Sequence, residues 1–146
     1  MIRNVLVATD GSEASMAAVR TAVELTASLG GEGRLHVAAV VDYAGVPGVF
    51  AKQPPAAPDL LSEEASTALE LAGQILAEAA VPAERHLLHG EVVEALLRCA
   101  AENAVDILVA GFHGRNRLAR LVMGSVVGKL VRSTHLPVVV VRAADA

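Results

Sequence analysis

The sequence predicts a three-layer, doubly wound α/β fold on a five-stranded parallel sheet. Three observations predict it. Five short aliphatic runs recur along the 146 residues, stretches with a helical apolar stripe separate them, and the runs are near-continuous in Val, Leu and Ile. Strict alternation with polar residues is missing, as expected for strands covered on both faces. With right-handed crossovers, the order β-α-β-α-β-α-β-α-β closes into a sheet with helices on both sides.

The elements follow in order. Ile2 to Ala8 is the first strand, and Asp10-Gly-Ser-Glu13 after it is a capping-type start for a helix from Ser12 to Leu29, ended by Gly30-Gly31. Arg34 to Val41 is the second strand. Tyr43 to Asp59, rich in Pro, Gly and Ala, is either a passive linker or a mobile flap. It leaves the C-terminal end of a strand, where open α/β sheets bind ligands. Leu61, Ala65, Ala68, Ala72, Ile75 and Ala79 form one apolar stripe until Pro82 stops it. Glu84 to His89 is the third strand. Glu91 to Asn103 puts Val92, Ala95, Leu96 and Cys99 on one helix face. Asp106 to Gly111 is the fourth strand, a helix runs from Gly124-Ser125 to His135, and Pro137 to Arg142 is the last strand.

Composition bounds the function. Hydrophobic residues make up 53% of the chain and aromatics only 2%, so a single domain over residues 1–146 is expected to pack Val, Leu, Ile and Ala. No apolar run reaches the roughly 18 residues that span a bilayer. The N-terminal apolar stretch runs into Asp-Gly-Ser rather than a cleavage site, which predicts no secretory leader. A lone cysteine, Cys99, suits the cytoplasm and reads as a packed thiol. A net charge of −4 argues against nucleic acid as a general partner. That charge is uneven: Ile107 to Ala144 holds Arg115, Arg117, Arg120, Lys129, Arg132 and Arg142 and no acidic residue. A solvated basic face would account for this, but the run begins inside a glycine-rich loop, which points to an anion.

The loop carries the chemistry. Gly111 and Gly114 follow a strand directly, where glycine allows backbone angles closed to other residues and lets amides approach a ligand. Nine residues later Gly124-Ser125 opens a helix, whose first turn leaves about four N–H donors unpaired and carries partial positive charge. The Ser125 hydroxyl either caps that helix or bonds a phosphate. Two common phosphate motifs are missing. Gly124-Ser-Val-Val-Gly128-Lys129 has one residue too few for a P-loop, with Leu130 in place of Ser/Thr, and TDGSEAS is no dinucleotide fingerprint.

Asp10-Gly-Ser, His89-Gly90-Glu91, Asp106 to Gly111, the G-x2-G-x9-G-S pattern of Gly111, Gly114, Gly124 and Ser125, and the closing Leu136 to Arg142 together resemble the universal stress protein family, in its ATP-binding branch. The resemblance spans nearly the whole chain. It implies strand order 3-2-1-4-5, which places the first and fourth strands side by side. It also implies ATP as ligand. Ala8, Thr9 and Asp10 would lie beside ribose and phosphates, and Val40 would meet adenine through its backbone. Gly111, His113, Gly114, Arg115, Asn116 and Arg117 would wrap ribose and phosphates, with Gly124, Ser125, Val126 and Val127 on the phosphates. It further implies a homodimer through antiparallel pairing of Pro137 to Arg142, an edge strand whose four valines invite a partner. Two residues depart from the pattern: Phe112 is large and apolar where small polar residues are usual, placed to alter ribose contacts or pack under the flap, and Gly128 falls in the helix's first turns.

Asp10 has two candidate roles, capping the first helix or holding Mg2+ or Mn2+ at the nucleotide. Arg115 and Arg117 are charge partners for the triphosphate or point to water, and Arg120 reads as solvated. His36, His86, His89, His113 and His135 show no metal-ligand spacing, and only His113 is placed to touch nucleotide. No residue set is arranged to activate water, so binding is favoured over catalysis. The expected function is an ATP-binding regulatory homodimer in stress response that presents a surface to a protein partner. A slow ATPase or nucleotide-dependent transferase, and a scaffold that binds no nucleotide, are the alternatives.

Overall fold

A computed structural model describes residues 1–42, 58–114 and 123–143. Five strands, β1 (Asn4–Ala8), β2 (Arg34–Val41), β3 (Ala83–His89), β4 (Ile107–Gly111) and β5 (Val138–Val141), form one sheet in the order β3-β2-β1-β4-β5. Every pairing is parallel, with Val5 opposite both Leu35 and Ile107. Four α-helices connect them: α1 (Glu13–Ser28), α2 (Pro58–Ala79), α3 (Val92–Glu102) and α4 (Ser125–Ser133), with a 3₁₀ turn at Gly30–Glu32 after α1. Pro58 and Asp59 belong to α2, so the segment expected to be a linker or flap loses its last two residues to a helix. Its remainder, 43–57, lies outside the described residues.

The pleat divides the core in two. Val5 and Val7 join Val37, Val109 and the α1 residues Ala18, Val19 and Ala22 on one face. Leu6 joins Ala38, Leu108 and Ala110, packed against Val93, Leu96 and Cys99 of α3 and Val127 and Leu130 of α4, on the other. Adjacent side chains on a strand point oppositely, so near-continuous aliphatic sequence is what two buried faces require. The central strands meet that expectation. β3 does not: none of its residues is buried, and Leu87 is an exposed leucine. The cause is position, because an edge strand has a neighbour on one side only and is covered less completely by the helices. β5, at the other edge, is half-buried throughout.

Local chemistry fixes the helix ends. Ser12 caps α1 by accepting the Ser15 N–H, and Glu91 caps α3 through its carboxylate, accepting the Val93 and Glu94 N–H groups at 3.2 and 2.8 Å. Burial pushes the Glu91 carboxyl up, but those two amides and Lys129 outweigh it and hold the group below its ordinary range. At their C-termini α2 and α3 share one device. Val81 donates to Leu76 and Val105 to Ala100, while Ala80 and Ala104 adopt left-handed φ values of 54° and 51°. That is the closure in which glycine is usual; here alanine bears the strain.

Asp106, just before β4, accepts the backbone N–H groups of Arg3 and Asn4, both at 2.9 Å, and so fastens the start of β1 to β4. The Asn4 and Arg3 amides hold its carboxyl below the ordinary range. This register carries the ends of β1 and β4 to the same edge of the sheet.

Candidate functional site

β1 and β4 are neighbours, yet the helices that follow them in sequence, α1 and α4, lie on opposite faces of the sheet. A crevice opens at such a reversal, beyond the C-terminal strand ends. The structure has a cleft of about 270 Å³ there, lined by Ala8, Thr9 and Asp10 from the end of β1, Ala38 and Val40 from β2, and Gly111, His113 and Gly114 after β4. Gly124 to Val127 at the start of α4 close one side, and Val92 and Leu96 of α3 the other.

Eleven residues singled out in the sequence therefore share one cleft: Ala8, Thr9, Asp10, Val40, Gly111, His113, Gly114, Gly124, Ser125, Val126 and Val127. Arg115, Asn116 and Arg117 lie outside the described residues. The two glycine patches touch directly. The Gly124 N–H donates to the Phe112 carbonyl at 2.8 Å. A Cβ on Gly124 would meet that same oxygen at 3.3 Å and the Gly114 nitrogen at 3.6 Å. A Cβ there would press the turn after β4 away from the helix by a few tenths of an ångström, and a branched side chain by more.

Gly124, rather than Ser125, is the N-cap of α4, with extended backbone and no side-chain hydrogen bond. The N-cap thus offers no side-chain acceptor to the first turn, whose leading N–H groups are of the kind an anion completes. The Ser125 hydroxyl is not used as the cap.

Gly111 has a different reason from the one its sequence position suggests. Its φ is not among the positive values; a Cβ there would instead lie 2.7 Å from the Ala14 carbonyl carbon and 2.9 Å from the Ser15 nitrogen. Close packing of β4 on the first turn of α1 demands glycine, not a special turn. Left-handed backbone occurs earlier, at Gly11, whose φ of 82° turns the chain from β1 into α1.

That turn is cross-braced. The buried Thr9 hydroxyl lies 3.1 Å from the Ser15 hydroxyl and accepts the Gly11 N–H at 3.3 Å. Asp10 accepts the Ser12 N–H at 2.9 Å through Oδ1, so it shapes the loop one step before the cap and does not itself cap α1. Its Oδ2 lies 2.9 Å from where a Cβ on Gly114 would be, which brings the carboxylate against the glycine turn.

His113 is buried at 6% exposure and meets the Phe112 ring edge-on, centroids 4.7 Å apart. Phe112 itself does not line the cleft. Its ring receives the Arg142 guanidinium at 4.3 Å, and its N–H bonds the Val141 carbonyl, so it belongs to the β5 end and not to a ribose contact. Lys129, one of the unopposed cations of the sequence, is paired with Glu91 at 3.2 Å and links α4 to α3. Arg142 thus stacks on a ring and Lys129 pairs with a carboxylate, which takes two charges out of the expected anion field.

Besides Ala110, which adjoins the predicted Gly111, sequence reasoning missed Ser15, Ala38, Val92 and Leu96. Ser15 was readable as the second polar residue of the α1 first turn. The other three follow only from register: Ala38 precedes Val40 by one period of the strand, and Val92 and Leu96 are one helical turn apart. The sequence also gave no sign that His36 and His86, fifty residues apart, meet at 3.0 Å. Cys99 is buried on the inner face of α3, and burial pushes its thiol up, as expected of a packed rather than reactive cysteine.

The universal stress protein family model matches residues 1–142. The chain belongs to that family. Among its relatives is the universal stress protein YxiE of Bacillus subtilis, 32% identical over 148 residues, covering 97% of this chain and 100% of the relative. The solved structure of MJ0577, a universal stress protein of Methanocaldococcus jannaschii, shares the fold with a TM-score of 0.81 at 23% identity, covering 100% of this chain and 99% of that one. A universal stress protein solved in complex with cAMP aligns with a TM-score of 0.72 at 27% identity over 97% of this chain and 98% of that one. Among the described residues, no helix is long and apolar enough to cross a membrane.

Proposed function

We propose that this universal stress protein binds an adenine nucleotide, ATP, in the cleft between β1 and β4 and acts as a nucleotide-responsive regulatory homodimer in the cytoplasm. Residues 1–146 would form one nucleotide-binding domain. The observation that carries the reading is the junction of the Gly111–Gly114 turn with the uncapped start of α4, joined by the bond from the Gly124 N–H to the Phe112 carbonyl. Two sets of backbone donors on one cleft suit a polyphosphate better than a neutral ligand. The cAMP complex of a 27% identical relative supports an adenine nucleotide.

The walls divide by chemistry. Ala38, Val40, Val92 and Leu96 supply an apolar side for adenine, with the Val40 backbone as its polar contact. Ala8, Thr9, Asp10, Gly111 and His113 would meet the ribose and the first phosphates, Arg115, Asn116 and Arg117 the phosphate chain, and Gly114 with Gly124 to Val127 its outer oxygens. Asp10 has one carboxylate oxygen taken by Ser12 and the other against Gly114, at the cleft. One carboxylate plus phosphate oxygens is a donor set that suits Mg2+ or Mn2+.

The homodimer would form through β5. Pro137 and Val141 turn their carbonyls to β4, accepting from Leu108 and Phe112. At the two-residue period of a strand, the backbone groups of Val138 and Val140 face outward along the sheet edge. Val140→Pro removes an outward N–H without touching the β4 ladder, so sedimentation should change from dimer to monomer. Equilibrium dialysis against millimolar ATP, AMP and NADH tests the ligand. Retention of ATP and AMP but not NADH is expected; retention of none would end the reading.

A further inference from the structure

Two histidines and a glutamate come together on the α3 side of the sheet, away from the cleft. The parallel register of β2 with β3 sets His36 opposite Glu84 and Ala38 opposite His86. Alternation then directs all three side chains to the same face. His36 Nδ1 lies 3.0 Å from His86 Nε2 and 3.6 Å from Glu84 Oε2, and the three ligand atoms all fall within 4.8 Å of one another. Among the described residues this is the one such group.

We propose that His36, Glu84 and His86 bind a divalent transition-metal ion of the zinc type. The distances are those of a coordination edge: four ligands about 2.0–2.1 Å from a zinc ion in a tetrahedron lie about 3.3–3.4 Å from one another. The two measured separations bracket that value. A plain hydrogen bond between the imidazoles explains the 3.0 Å contact but leaves the carboxylate at 3.6 Å, beyond bonding range, pointing at the same nitrogen. One ion gives all three donors a common partner.

The donor set also selects the metal. Two imidazoles and one carboxylate suit Zn2+, and Ni2+ or Cu2+ by the same softness, whereas Mg2+ and Ca2+ prefer oxygen ligands throughout. Three protein ligands leave a fourth position for water. Burial falls from His36, at 7% exposure, through His86 to the exposed Glu84, so the ion would enter from the solvent side and be closed over by the carboxylate. All three ligands stand on strand backbone, which holds them more rigidly than loops would. Ala38, which lines the nucleotide cleft, is two residues from His36, about 7 Å along the strand, and none of the three ligands lines that cleft. The bound ion would clamp the edge strand β3 to β2.

The test uses tag-free full-length protein stripped with chelator, titrated with zinc chloride alone. One ion per chain is expected with a Kd below about 100 µM. His86→Ala and Glu84→Gln, both at accessible positions where folding is expected to survive, should each weaken binding, the histidine variant by more than the roughly hundredfold that losing a group behind a ligand can cost. Cobalt(II) should give the intense visible bands of a tetrahedral site in the parent protein and lose them in His86→Ala. Asp10→Ala should leave the zinc isotherm unchanged. No zinc uptake, or uptake unaltered in both His86→Ala and Glu84→Gln, would overturn the assignment, as would uptake lost in Asp10→Ala but kept in the two β3 variants.

Discussion

Gly111→Ala and Gly114→Ala differ by three residues, and each would place a Cβ within 3 Å of a neighbour, yet they should behave differently. At residue 111 the neighbours are backbone: the Ala14 carbonyl carbon at 2.7 Å, its oxygen at 2.9 Å and the Ser15 nitrogen at 2.9 Å. These atoms belong to the first turn of α1, held by the Ser12 cap and by the contact of Thr9 with Ser15. They cannot move unless the helix lifts from β4. Overpacking of this kind costs about 1–3 kcal/mol. At residue 114 the neighbour is Asp10 Oδ2 at 2.9 Å, the tip of a side chain that can rotate. The loss is then that of side-chain bonds of Asp10, such as the one from the Ser12 N–H, about 1 kcal/mol. Urea unfolding followed by circular dichroism measures both. In thermal melts of a chain of this size the first variant should lower Tm by roughly 2–12 °C, at 2–4 °C per kcal/mol. If Gly111→Ala is within about 0.5 kcal/mol of the parent, or Gly114→Ala is the more damaging, the packing argument is wrong.

Further outcomes follow from the caps and the strand anchor. Ala80→Gly and Ala104→Gly relieve left-handed alanines at the ends of α2 and α3, so each should stabilise by roughly 0.5–1 kcal/mol, the strain released less the added chain entropy. Thermal melts of the single and double variants check this and should show near-additive gains. Asp106→Ala removes the acceptor for the Arg3 and Asn4 N–H groups and should cost about 1 kcal/mol at neutral pH. Because the folded carboxyl is held low, that contribution is present above the group's unfolded value and is lost as pH falls through the folded one. Parent and variant should therefore converge in acid; a gap that stays constant with pH contradicts the role.

Much of this was legible in the sequence, for reasons that also explain what was not. The helices α1 and α3 begin within one or two residues of where Ser12 and Glu91 place them, because caps are local chemistry. β1, β2 and β4 read as buried strands because two covered faces leave few polar positions. β3 was misread as equally covered, since Leu87 and Leu88 look alike in sequence and only position in the sheet exposes one of them. Gly111 was recognised as special but for the wrong cause, because the α1 backbone it abuts is distant in sequence. The meeting of His36 with His86 depends wholly on the register of β2 against β3, which no local spacing encodes. Gly124 lies against the first glycine turn, and its closeness to Phe112 and Gly114 gives a packing reason for glycine there that local sequence does not encode.

Titration calorimetry of ATP into the parent protein and into Gly124→Val tests the central claim most directly. The valine would thrust methyl groups between the Phe112 carbonyl and the start of α4. The account predicts saturable, one-to-one binding by the parent, lost in the variant although far-ultraviolet circular dichroism shows its secondary structure intact. A parent that binds no ATP at millimolar concentration, weaker than about −4 kcal/mol, or a folded Gly124→Val that binds as tightly as the parent, would contradict it.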